Sequence, residues 1–120
     1  MRAKVFLALA VAIVAPACEE APGCPPYIAA ALSVTVQDDE TGLDICDAIV
    51  TARDRAYSEV LHAPSDTPPC DYGGAIEREG TYTVRAERAG YSSKTVSNLV
   101  AESSGGDCPH VQTVRVTIRL

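Results

Sequence analysis

Tryptophan is absent from this chain, methionine and phenylalanine occur once each, and five tyrosines are the other aromatics. The phenylalanine, Phe6, lies near the start, so the core beyond it must be built from Val, Ile, Leu, Ala and Tyr. Such a core is thin and suits external reinforcement. Long hydrophobic runs are also lacking. The longest, Val5 to Ala15, has 11 residues, whereas a helix needs about 20 to cross a bilayer core. Basic residues are scarce as well: Lys and Arg total 10 against 16 Asp and Glu, a net charge of −6. That balance argues against nucleic acid, whose phosphates reward Lys and Arg clusters, and against electrostatic docking on anionic lipid. No G-x-S-x-G elbow, C-x-x-C, H-E-x-x-H or Gly-rich phosphate loop occurs. The expectation is therefore a protein that is not an enzyme and needs no cofactor.

What is present begins with an export signal. Met1-Arg2-Ala3-Lys4 is a basic start, Val5 to Ala15 an apolar segment, and Ala15-Pro16-Ala17 satisfies the small-x-small rule of signal cleavage. The same site resembles a bacterial lipobox, in which the residue after the cut is a cysteine whose thiol takes a diacylglycerol. Both readings break the Ala17–Cys18 bond and differ only in the fate of the Cys18 sulfur: a lipid anchor, or a freely secreted or periplasmic protein. Cysteine arithmetic favours the anchor. The five cysteines are 18, 24, 46, 70 and 108, an odd number in an oxidising compartment; acylating Cys18 leaves four for two bridges. The expected divisions are a signal peptide over 1–17, a lipidated cysteine and Pro/Gly-rich tether over 18–30, and one domain over 31–120. Loss of the signal removes Arg2 and Lys4, so eight basic side chains face sixteen acidic ones, a net charge of −8.

From residue 31 onward the hydrophobic period is two, the signature of half-buried strands. "ALSVTVQ" turns Leu32, Val34 and Val36 inward. "DAIVTARD" and "YSEVLHA" read as a second and third strand, and "DYGGAIEREG" as a short strand entering a turn at Gly80. "TYTVRAE" puts Tyr82, Val84 and Ala86 on one face, "YSSKTVSNLV" follows a turn at Ala89-Gly90, and "VQTVRVTIRL" closes the chain. Pro64 to Pro69 cannot form a strand interior, because proline lacks the ladder donor. Seven short strands joined by turns, with no helix after the signal helix, describe an all-β antiparallel sandwich.

The strand motifs together resemble a family. "LSVTVQDDETG", "DAIVTARD", "GTYTVRAERAGY" and "VRVTIRL", with Gly80, Tyr82, Val84, Gly90 and Tyr91 in the pattern G-x-Y-x-V followed by G-Y, are similar to the carboxypeptidase regulatory-like domain. That is a seven-stranded, transthyretin-like, immunoglobulin-like β-sandwich. The resemblance covers roughly residues 31 to 120, and the four remaining cysteines look like those of a variant carried by lipoproteins of some Gram-negative bacteria. It implies a non-enzymatic appendage for folding support, surface display or binding, and brings no catalytic residues. Four cysteines allow three pairings. Sandwiches of this type often set the first strand beside the last in parallel, which implies Cys24 with Cys108 and leaves Cys46 with Cys70.

Other candidate sites rest on weaker patterns. His62 and His110, with Asp107 and Cys108, lack the spacing of a zinc or copper site, and the expectation is no metal. Asp38, Asp39, Glu40, Asp44 and Asp47 crowd ten residues, yet do not follow the EF-hand spacing and read as solvated turn acids. Tyr82 is expected in the core with its hydroxyl on a nearby backbone turn. Tyr57 and Tyr72 are expected to be exposed, but two rings make a poor stacking platform for sugar. The resulting expectation is an exported lipoprotein, held through Cys18 to a membrane, expected to be the outer membrane, that serves as a structural or interaction module at the bacterial cell envelope with another envelope protein as partner. The alternative is a ligand-binding module for glycan or metal.

Overall fold

The computed structural model describes Gly23, Cys24 and residues 26–120. The expected signal peptide and the expected lipidation site, Cys18, lie outside the described residues. The rest is all-β: β1 (Ala30–Gln37), β2 (Ile49–Asp54), β3 (Tyr57–Leu61), β4 (Asp71–Ile76), β5 (Gly80–Glu87), β6 (Lys94–Ala101) and β7 (Val114–Arg119). They form two sheets, one ordered β4-β1-β7 and the other β3-β2-β5-β6.

The alternation seen in the sequence becomes the packing between the sheets. Leu32, Val34 and Val36 of β1 meet Val50 and Ala52 of β2 and Tyr82, Val84 and Ala86 of β5 in one core, and all eight are 0% exposed. Residues of the opposite phase, such as Thr51, Arg53, Thr83 and Arg85, are partly or fully exposed. The sheets are not antiparallel throughout. β1 pairs with β7 in parallel, Leu32 opposite Val114 through Gln37 opposite Arg119, as the family resemblance implied, so the fold is antiparallel except at that pair. β7 returns in the same direction as β1 because the Ala101–Val114 connection carries the chain from the end of β6 to the other sheet.

Gly80 is the first residue of β5 rather than the turn before it. The turn falls on Glu77–Glu79, where Glu77 takes φ 52° and Ala75, just before it, φ 53°. These left-handed backbones are unusual for residues with a Cβ. They are held by long-range bonds: Glu59 Oε2 accepts from the Ala75 amide at 2.5 Å, and Glu77 Oε1 from the Ala29 amide at 2.5 Å. Gly74 allows the same close approach, since a Cβ there would lie 2.5 Å from Glu59 Oε2 and 2.6 Å from Leu61 Cδ2.

Cys24 is bonded to Cys108 and Cys46 to Cys70. The two bridges occupy opposite ends of the sandwich. Cys24 and Cys108 precede the parallel strands β1 and β7, at what we call the tether end. Cys46 precedes β2 and Cys70 precedes β4, whose first residues pair with the far ends of β5 and β1 (Ile49 opposite Glu87, Asp71 opposite Thr35). This second, distal end also carries the Asp38–Gly42 turn and the Arg88–Gly90 turn.

Candidate functional site

Several tyrosines are committed to the fold. Tyr82, fully buried, donates from its hydroxyl to the Arg78 carbonyl at 2.6 Å and accepts from Arg78 Nη1 at 3.1 Å. The same guanidinium pairs with Asp54 at 3.0 Å and stacks 3.9 Å from the centre of the Tyr57 ring. Tyr57 is thus half-buried rather than free, and its phenol is pushed above its ordinary value, first by burial and then by its bond to Glu59. Tyr72 is a plain correction: it is 3% exposed. Its hydroxyl donates to the Ile45 carbonyl at 2.7 Å and accepts from the Ala48 amide at 3.0 Å, stitching the segment around Cys46 to β4.

The distal end gathers charges that the sequence keeps far apart. Arg88 grips Asp47 with two nitrogens, Nε to Oδ1 at 2.7 Å and Nη2 to Oδ2 at 3.1 Å, the bidentate geometry that gives such pairs direction as well as attraction. Arg88 also lies 5.4 Å from the centre of the Tyr91 ring. Tyr91 donates to Asp38 Oδ2 at 2.6 Å. The other oxygen of Asp38 accepts from the amides of Glu40 and Thr41 at 2.8 and 2.9 Å. An Asp47–Arg88–Tyr91–Asp38 chain therefore links the β1–β2 connection to the β5–β6 turn. Its effect on protonation follows. The Tyr91 bond, then the Thr41 amide, hold Asp38 below the usual carboxylate range. Asp38 in turn raises the Tyr91 phenol, and Asp47 raises Arg88.

Beside this chain lies an open recess of ≈ 630 Å³ lined chiefly by Asp47, Ile49, Arg85, Glu87, Arg88 and Tyr91. Arg85 spans Glu87 at 2.6 Å and Ser93 at 3.2 Å, and Ile49, 56% exposed, supplies an apolar wall. Two guanidiniums, a phenol and a hydroxyl converging on a concavity make a polar recognition surface. They hold no nucleophile paired with a base. A Ser–His contact does exist at the other end: Ser104 Oγ lies 3.4 Å from His110 Nδ1. That hydroxyl accepts from the His110 amide at 3.2 Å, and the ring nitrogen faces the Cys108 carbonyl at 3.2 Å, so the pair locks its own loop.

The remaining sequence candidates do not assemble. His62 pairs through its backbone with Gly73, and His110 packs edge-on against Tyr27 with ring centres 4.9 Å apart. Among the described residues no group of three His, Cys, Asp or Glu side chains could hold a metal ion. Of the turn acids, Asp38 and Asp47 enter the distal chain. Asp44 accepts from Gln37 and from the Cys70 amide at 3.3 and 3.1 Å. Arg85, Arg88 and Ser93 escaped sequence reading, because nothing local marks them apart from ordinary outward or turn residues.

Fold and site define a two-sheet, disulfide-bridged β-domain with a polar recess at one end. No protein-family model, curated protein or solved structure matches the chain.

Proposed function

We propose that this protein is an exported bacterial lipoprotein, anchored by lipid on Cys18, whose single carboxypeptidase regulatory-like, transthyretin-like sandwich is a non-enzymatic interaction module at the cell envelope. The observation that supports it best is the polarity of the domain. The chain enters at the end crosslinked by Cys24 and Cys108, six residues after Cys18, while the Arg85–Arg88–Tyr91 recess lies at the opposite end, where an envelope partner has access to it. Two disulfides accord with an oxidising compartment outside the cytoplasm.

Two measurements test this. A fatty-acid analogue fed to expressing cells labels the wild-type chain and not Cys18→Ser; an unlabelled wild type refutes the anchor. A photo-crosslinker in place of Ser93 captures a discrete envelope protein in intact cells, and the same probe at Ser58, outward near the tether end, does not. Equal, diffuse labelling from both positions refutes a distal partner site.

The recess also favours a second reading, binding of a polar glycan. A carboxylated oligosaccharide that competes for Arg85 and Arg88 raises the melting temperature in a saturable way, and Arg85→Ala abolishes the rise.

A further inference from the structure

We propose that the tether end of the sandwich is itself a membrane-docking face, seated in the headgroup layer of the bilayer that carries the lipid anchor. This rests on the lipid-anchor reading and adds an orientation to it.

The first support is covalent reach. Cys24 follows Cys18 by six positions, and an extended chain spans at most about 3.6 Å per residue, so Cys24 stays within roughly 20 Å of the lipidated residue. The Cys24–Cys108 bridge extends that restraint to the 105–110 loop. Without it, the first fixed point of the chain would be β1, at Ala30.

The second support is what this end exposes. Tyr27 is 60% exposed, Ile28 76%, Ile76 55% and Val100 50%. All four lie at the tether end: Ile76 is opposite Ala30, and Val100 opposite Thr81, one residue from the start of β5. Beside Tyr27 a groove of ≈ 400 Å³ runs along Cys24, Cys108, Pro109 and His110, with the exposed Asp107 at its rim. Two carboxylates that would resist a lipid surface are turned onto the backbone, Glu77 to the Ala29 amide and Glu79 to the Ser103 amide at 2.7 Å. Tyrosine, with an apolar ring and a polar tip, suits the membrane–water boundary.

The occupant is lipid rather than a second protein because of the gap. A small domain is about 30 Å across, more than the roughly 20 Å that the tether spans. The docking is apolar and aromatic, and with Glu102 and Asp107 exposed at the same end it does not weaken as salt rises.

The absence of Trp provides the test. The full chain is expressed in a Gram-negative host as Tyr27→Trp or, for the distal end, Leu43→Trp, a position that is 69% exposed. The purified lipoprotein is incorporated into phosphatidylethanolamine–phosphatidylglycerol vesicles with brominated acyl chains. Apolar groups at an interface sink about 5–10 Å into the headgroup boundary, so the position-27 variant loses roughly half its emission and the position-43 variant keeps its own, and the loss persists at high salt. Acylated protein with position 27 unquenched, or quenched no more than position 43, overturns the docking alone. A Cys18 without acyl chains, read by mass, overturns the anchor and the docking together.

Discussion

Replacing Cys46 and Cys70 together by alanine removes the distal crosslink, and its cost can be worked from the chain. The bridged residues are 24 apart in sequence. Closing such a loop in a free unfolded chain is worth about 3.5 kcal/mol in the chain-entropy treatment. Here the unfolded chain is already a ring, since Cys24 and Cys108, 84 residues apart, remain joined. The inner bridge then divides that ring instead of closing a free coil, and the same relation gives about 3 kcal/mol. The folded state loses little. Ile45 and Ala48 stay tied to the Tyr72 hydroxyl, and Asp44 to the Cys70 amide, so the effect falls mainly on the unfolded chain. For a domain of this size the expected fall in melting temperature is roughly 12–24 °C, at about 4–8 °C per kcal/mol. Calorimetry or far-ultraviolet circular dichroism of oxidised protein reads it directly. A fall below about 5 °C, with the Cys24–Cys108 bridge verified intact, would refute the view that crosslinks make up for a thin aliphatic core. Reductant adds a kinetic signature. Cys24 and Cys108 are exposed whereas Cys70 is 0% exposed, and exchange requires access to sulfur. Mild thiol therefore opens the tether-end bridge first; simultaneous opening contradicts that order.

Tyr82→Phe strips the hydroxyl from the Arg78 carbonyl and guanidinium, and about 1–2 kcal/mol of stability goes with it, measured by urea unfolding. Gly74→Val drives a side chain into Glu59 and Leu61 and costs about 1–3 kcal/mol or more, whereas the same change at Gly42, where nothing lies within 4 Å, acts only through its φ of 70°. The distal chain sets a pH window. Asp38 is lowered from 3.8, so its contribution is present above that pH and is lost as the pH falls through the lowered folded value. Tyr91 is raised from 10.0, so its contribution is present below pH 10.0 and disappears as the pH rises through the raised folded value. Tyr91→Phe makes both limbs shallower in a melting-temperature profile, leaving the Thr41 amide on Asp38 and the raised Tyr57 and Tyr72 phenols in place; unchanged limbs contradict the assignment.

Much of the fold was legible because it is written with period two. Leu32-Val34-Val36 and Tyr82-Val84-Ala86 alternate with polar residues, and a pleated strand sends such alternation to opposite faces. The interior position of Tyr82, and the bond from its hydroxyl to a local turn, followed from the same phase. Where the alternation fails, so did the reading. In "DYGGAIE" two glycines carry no hydrophobic phase, so Tyr72 could be assigned to either face. What buries it is a pair of backbone partners, at Ile45 and Ala48, more than 20 residues earlier in the chain. Gly80 offered a turn, yet the reversal moved to Glu77–Glu79, because the Ala75 amide meets the Glu59 carboxylate and the Glu77 carboxylate meets the Ala29 amide.

The sequence by itself therefore determined the strand pattern, the inward faces and the need for crosslinks, since each follows from local spacing and composition. Only the tertiary structure decided that the two bridges stand at opposite ends, and that Arg88 joins Asp47 and Tyr91 joins Asp38. Those pairings span 41 and 53 residues. They exist because two twisted sheets bring distant turns to one end, a geometry set by the packing of the whole core and by no single stretch of chain.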